Sequence, residues 1–269
     1  MLGAIIGDIV GSIYEFANIK TKDFEFFQPE IERTDDSILC IATADWLLHG
    51  GDVSHYYSRY ALEYPYPMGG YGGMFKAWSS KVARQGIHEP YNSCGNGSAM
   101  RIAPVGWAFE TEREVLAAAE VSASCTHNHP EGIKGAQATA LCIFLARQGH
   151  TASDIRARLE RDFGYDLSMS VEELQRRYSW QGIDGKGDGG ICQDSVPQAI
   201  ICVLQAKDFE NAIRNAISIG GDSDTIGCIA GGIAEALYGI PEPIKEQAWT
   251  YLDETECCTV RSFIQKYSI

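Results

Sequence analysis

Apolar residues recur along this chain with the period of a helix. Leu2, Ile5, Ile6, Ile9, Val10 and Ile13 follow the i, i+3, i+4, i+7 spacing of one helical face. Gly3, Gly7 and Gly11 recur every fourth residue in the same segment, and Glu15 is the next member of that row. An interior glycine costs about 1 kcal/mol of helix propensity, so such a row is expected only where another backbone comes close. A second row, Gly227, Gly231, Glu235 and Gly239, runs through an apolar stretch near the other end of the chain. Together the rows predict a closely approaching helix pair, although either row alone also fits generic packing of a buried helix.

Further helices are marked by their ends. Thr111-x-x-Glu114, Thr151-x-x-Asp154 and Ser170-x-x-Glu173 have the spacing of capping boxes. Pro197 and Pro241 stand where a first turn accepts proline. Gly220-Gly221 would close a helix running from 208 to 219. Strand-like alternation is nearly absent. The pattern predicts an all-α fold in one domain, 1–269, with glycine-rich loops at 69–73, 95–97 and 185–190 and no internal repeat.

Composition narrows the function classes. Of 269 residues, 45% are hydrophobic and 22% charged, values of a chain that folds into a core rather than staying disordered. A formal charge of −14 repels phosphate backbones and speaks against a nucleic-acid surface. A phosphorylated ligand would need backbone N–H groups, helix N-termini or metal ions. The nine cysteines include no C-x-x-C pair and mostly sit among apolar neighbours, the usage of a reducing compartment. No uncharged run is long enough to cross a membrane. The apolar start lacks a basic region and carries Asp8 and Glu15, so no signal peptide is expected. A cytoplasmic, monomeric protein is the expectation.

Two acidic clusters precede apolar helices: Thr34-Asp35-Asp36-Ser37 and Gly220-Gly221-Asp222-Ser223-Asp224-Thr225. Helix capping accounts for one side chain at each, yet each offers two carboxylates and hydroxyls besides. If the two helix starts meet, Asp35, Asp36, Asp222 and Asp224 share one region, with Glu15 beside them, and protons or cations must neutralise it. An all-oxygen donor set suits magnesium or manganese rather than zinc. Cys125-Thr126-His127-Asn128-His129 offers a cysteine and two histidines, but no second ligand pair stands at zinc spacing. His129 reads as a capping or solvent residue before Pro130, and Arg101 as structural. Gly69-Gly70-Tyr71-Gly72-Gly73-Met74 is either a backbone cradle for a diphosphate or a flexible turn.

Five motifs taken in order carry a resemblance. Gly7-Asp8-x-x-Gly11-Ser12 with Glu15, then Thr34-Asp35-Asp36-Ser37, Gly95-Asn96-Gly97-Ser98-Ala99-Met100-Arg101, Thr126-His127 and Gly221-Asp222-Ser223-Asp224-Thr225 together resemble the ADP-ribosylglycohydrolase family. That family includes the dinitrogenase reductase-activating glycohydrolase and the ADP-ribosylarginine and ADP-ribosylserine hydrolases. The similarity runs from residue 2 to about residue 240. It implies an orthogonal all-α bundle with a centre of two divalent cations, Mg2+ or Mn2+. The ligands it implies are Thr34, Asp35, Asp36, Asp222, Asp224 and Thr225. Glu15 matches a glutamate beside the metals on a mobile segment, a general base or a gate, and forms the implied catalytic set with Asp35 and Asp36. Ser37 and Ser223 stand where many relatives carry threonine.

The same resemblance implies a pyrophosphate loop at Gly70, Tyr71, Gly72, Gly73 and Met74. It implies ribose and phosphate contacts at Gly95, Asn96, Gly97 and Ser98, and a substrate-binding role for His127. The implied reaction cleaves the bond between the anomeric carbon of ADP-ribose and a modified side chain of an ADP-ribosylated protein or small molecule, and releases ADP-ribose. An acidic protein attracts a cationic guanidinium, which favours the arginine linkage. Serine or another O-linkage is the alternative. A metal-dependent phosphohydrolase and a non-catalytic ADP-ribose-binding module are alternatives of other classes.

Overall fold

Capping and turn signals divide the chain into fifteen α-helices in a computed structural model that describes residues 1–269. In order they are α1 (Leu2–Gly11), α2 (Asp35–His49), α3 (Val53–Glu63), α4 (Gly73–Gln85), α5 (Gly97–Met100), α6 (Ala103–Ala108), α7 (Glu112–Ser124) and α8 (Pro130–Arg147). There follow α9 (Ala152–Phe163), α10 (Val171–Arg177), α11 (Cys192–Leu204), α12 (Phe209–Ser218), α13 (Ser223–Tyr238), α14 (Glu242–Ala248) and α15 (Glu254–Tyr267). The fold is all-α. Extended pairing is limited to two isolated bridges, Thr34 with Met68 and Gly95 with Ile191.

At the centre lie α1 and α13. Every residue of α1 is buried, as is α13 from Ser223 to Glu235, the signature of helices enclosed on all sides. They run antiparallel, with Gly3 against Gly231, Gly7 against Gly227 and Gly11 against Ser223 and Asp224. A Cβ added to Gly7 would stand 1.9 Å from the Gly227 carbonyl oxygen. The glycine rows therefore exist because backbone meets backbone. Around the pair, α8, α11 and α12 pack on α13, and α2 packs on α1 and carries α3 and α15.

All three expected capping boxes form, and Asp253 with Glu256 adds a fourth at α15. Gly220 and Gly221, both at positive φ, follow the last residues of α12 as expected. Pro241 stands at the N-cap of α14.

Three local expectations need correction. Pro197 lies inside α11 rather than in its first turn. The helix begins earlier because the Cys192 amide is already held by the Cys94 carbonyl at 2.9 Å, next to the Gly95–Ile191 bridge. Gly239 leaves the glycine row: its φ of +70° places it at the C-cap of α13, with no neighbour near its missing side chain. Finally, α1 stops at Gly11 and continues as a 3-10 turn, Ser12–Tyr14. Ile13 and Glu15 thus stand beyond the α-helix, at its exit. No helix is long and apolar enough to cross a membrane.

Candidate active site

Antiparallel packing of α1 and α13 brings the exit of α1 to the start of α13, and α2 begins beside both. These three ends form one wall of a cavity of about 560 Å³, a size suited to a nucleotide-sized ligand. Glu15, Asp35, Asp36, Asp222, Asp224 and Thr225 all line it. The two acidic clusters do meet.

Asp8 holds the start of α2 in place. Its carboxylate accepts the amide and hydroxyl of Thr34, at 3.0 and 2.6 Å, and the amide of Ser37 at 3.1 Å; the Ser37 hydroxyl donates to it as well. Thr34 is the N-cap of α2 and accepts the Asp36 amide at 3.2 Å. Thr34 is wholly buried and does not line the cavity, so it props the acidic turn from beneath. The second cluster is built differently. Asp222 makes no side-chain cap bond to α13 but accepts the Asn96 amide nitrogen at 2.7 Å. The Thr225 amide donates to Asp224 at 2.9 Å. Capping thus accounts for Thr34 and not for the Asp222 side chain.

Two oxygen sets result. Single carboxylate oxygens of Asp8, Asp36 and Asp224 lie within 4.8 Å of one another, as do those of Glu15, Asp222 and Asp224. Asp224 belongs to both. Burial and crowding raise every acid here. Burial, then Asp222 and Asp8, pushes Glu15 up to about 7. Burial lifts Asp8 to about 6 against its hydrogen bonds from Ser37 and Thr34. Asp35, Asp36 and Asp224 are held well above the usual range, by burial first and by neighbouring carboxylates second. Asp222 is raised by burial. No Lys or Arg forms an ion pair with any of these groups. One oxygen, Asp36 Oδ1, is buried without any hydrogen-bond partner. An unpartnered carboxylate oxygen among raised acids is a donor that a divalent cation could take.

The loop Gly69–Gly72 and the first turn of α4, which begins at Gly73 rather than after the glycine run, line the same cavity, with Gly70, Tyr71, Gly72, Gly73 and Met74 all bordering it. Glu15 Oε2 reaches so near Gly69 that a Cβ there would stand 2.7 Å away. This glycine, at φ +74°, lets the loop touch the acidic wall. Gly95, Asn96, Gly97 and His127 close the third side. Ser98 does not: it is fully buried and donates to the Gly132 carbonyl at 2.7 Å. His129 caps α8 by accepting the Glu131 amide at 3.1 Å. Arg101 is fully buried; its Nη2 donates within the fold while Nε and Nη1 have no partner, and it borders the cavity. Asp8, Tyr91 and Ser93 belong to the site as well: Asp8 lies within the Gly7-Asp8-x-x-Gly11 motif, whereas nothing in the spacing of Tyr91 or Ser93 marks them.

Comparison with known proteins agrees with the helical fold. The family model described as ADP-ribosylglycohydrolase matches residues 1–266. The chain is 30% identical to ADP-ribosylhydrolase ARH3 of Homo sapiens, over 95% of this chain and 89% of that protein. It is 26% identical to ADP-ribosylarginine hydrolase Tri1 of Pseudomonas putida, over 93% of this chain and 73% of that protein. A solved structure titled ADP-ribosylglycohydrolase-related protein complex superposes with a TM-score of 0.64 at 25% identity, covering 93% of this chain and 95% of that one. With the helical fold, the converging acids and a match along nearly its whole length, the chain belongs to the ADP-ribosylglycohydrolase family and is a glycohydrolase enzyme.

Proposed function

We propose that the enzyme, as one catalytic domain spanning 1–269, removes ADP-ribose from modified side chains with the help of divalent cations, magnesium or manganese. One observation carries this reading: carboxylates from three chain segments line one cavity together with a glycine-rich stretch, and no basic side chain pairs with them. The orphaned Asp36 Oδ1 fits a cation. Asp35, Asp36, Asp222 and Asp224 would hold two ions, with Thr34 and Thr225 supporting them. Bound there, such ions supply Lewis acidity and orient ribose hydroxyls and water.

The chain's own groups supply the rest. Backbone N–H groups of the Gly70–Met74 loop bind the diphosphate, which an acidic protein cannot hold with side-chain charge. Gly95, Asn96, Gly97 and His127 position the ribose between that loop and the acids. Glu15, between the acidic wall and Gly69, takes a proton from water as the water oxygen bonds to the anomeric carbon. The glycosidic bond breaks with its electron pair passing to the departing atom, which receives the proton. A charge of −14 and the arginine activity named for Tri1 favour a guanidinium leaving group.

Parallel incubation with arginine-modified and serine-modified peptides tests all of this. Free ADP-ribose from the arginine peptide, abolished by chelator, is the expected result. Release from the serine peptide alone would reverse the linkage, AMP would mean diphosphate cleavage, and no product would mean binding only.

A further inference from the structure

Beside the Gly95–Gly97 segment lies a chain of three polar groups that the acidic wall does not use. Arg101 is wholly buried and forms no ion pair. Its Nη2 donates to the Ser122 carbonyl and to Thr126 Oγ1, both at 2.8 Å, while its guanidinium lies 4.1 Å from the Tyr57 ring centre. Thr126 Oγ1 in turn lies 2.8 Å from His127 Nδ1.

A guanidinium has no acceptor and keeps its protons. The bond from Arg101 to Thr126 therefore runs one way, and the threonine hydrogen is free to go elsewhere. The Ala123 carbonyl lies at 3.5 Å and His127 Nδ1 at 2.8 Å, with the Tyr91 hydroxyl and the Cys125 thiol also beside the threonine. The shorter contact takes it. We propose that Arg101 and Thr126 fix the tautomer of His127, so that the ring accepts at Nδ1 and presents Nε2–H to the cavity as a donor for an acceptor oxygen of the ADP-ribose. The ligand half of this inference rests on the proposed function; the tautomer half does not.

The surroundings fit a fixed neutral donor. His127 lies well below the ordinary histidine range because it is buried and because Arg101 repels a second positive charge. The other titratable groups facing it are Tyr91, edge-on at 5.7 Å between ring centres, and its neighbour Cys125, which burial raises. Neither supplies a negative charge at neutral pH. Space is provided as well: a Cβ on Gly97 would stand 3.1 Å from Nε2, and one on Gly95 3.5 Å away. Two glycines leave that nitrogen uncovered. Arg101 and Thr126 are positioning residues; only His127 would touch ligand.

Nitrogen-15 NMR of histidine-labelled protein without ligand reads the tautomer directly. The expected spectrum at pH 7 shows His127 neutral, with Nε2 protonated and Nδ1 bare. Thr126→Val should shift the ring toward the Nδ1–H form, and Thr126→Ser, which keeps the hydroxyl, should restore the parent spectrum. ADP-ribose titration should show about tenfold weaker binding in Thr126→Val and under twofold change in Thr126→Ser. A parent ring protonated at Nδ1, a charged ring, or an unmoved tautomer in Thr126→Val would overturn the proposal. An Nε2–H ring in a protein that does not bind ADP-ribose would support the tautomer lock and overturn the proposed ligand. Because the readout needs only a folded protein, Arg101→Lys, which keeps a charge but loses the Nη2 donor, serves as a second variant. It too should loosen the tautomer.

Discussion

Asp8 on α1 takes both the amide and the hydroxyl of Thr34, at 3.0 and 2.6 Å, across 26 positions of chain. A carboxylate buried in the first helix thus sets where the second helix begins, and with it the direction of Asp35 and Asp36. Asp8→Asn puts an amide where both carboxylate oxygens accept and leaves a buried donor unsatisfied, a loss of about 1–3 kcal/mol. Urea unfolding of the magnesium-saturated variant should show that loss, and calorimetric titration should show weaker cation binding. Unchanged values in both would remove Asp8 from its supporting role.

The glycine contact between α1 and α13 gives a sharper contrast. Gly7→Ala drives a methyl group into the Gly227 carbonyl, whereas Gly72→Ala places one where nothing lies within 4 Å at an ordinary backbone angle. Overpacking of a rigid contact costs about 1–3 kcal/mol or more, and an exposed change stays within about 0.5 kcal/mol. Thermal melts of the two variants should separate widely, with Gly7→Ala far below the parent. Equal midpoints would mean that the helices part easily.

Cation binding should invert the effect of one substitution. In chelator, Asp36→Asn relieves repulsion within the raised acid cluster and should raise the melting midpoint. In saturating magnesium or manganese the parent should gain stability, since the ions would bind the folded state alone, and the variant should gain less and lose turnover. Midpoints ordered the same way in both buffers would argue against a cation at Asp36.

A pH signature follows from His127. Its folded pKa lies well below the usual value, which the unfolded chain recovers near 6.5. Below pH 6.5 the unfolded state therefore binds the extra proton, and stability falls toward acid. The parent should lose on the order of 1 kcal/mol relative to His127→Gln between pH 7.5 and 5.5. Chemical denaturation at the two pH values checks this, and parallel pH dependence in both proteins would show a normal histidine.

Much of this site could be read from residue order. Glycines four apart carry a stability penalty that only close backbone approach offsets, so Gly3, Gly7, Gly227 and Gly231 announced their pairing. Paired carboxylates at two helix starts exceeded what capping needs, and Asp222, which caps nothing with its side chain, bears that out. Other features depend on partners remote in sequence. The bridge between Gly95 and Ile191 moves the start of α11 ahead of Pro197. Thr34 and Ser98 sit in the right motifs but turn away from the cavity toward Asp8 and Gly132. Tyr91 and Ser93 reach the site only because the segment carrying them folds along it, which no local pattern encodes.

Between Gly7 and Gly227 there are no side chains to rearrange. A contact of this kind has no rotamers to freeze on folding and none to loosen on warming. The spacing between the end of α1 and the start of α13 is then gauged by two backbones, and ordinary side-chain motion cannot retune it. Amide hydrogens of α1 and α13 should accordingly exchange together, in openings that dismantle the centre of the molecule. The acidic wall would keep its spacing until that centre gives way, and then lose it all at once.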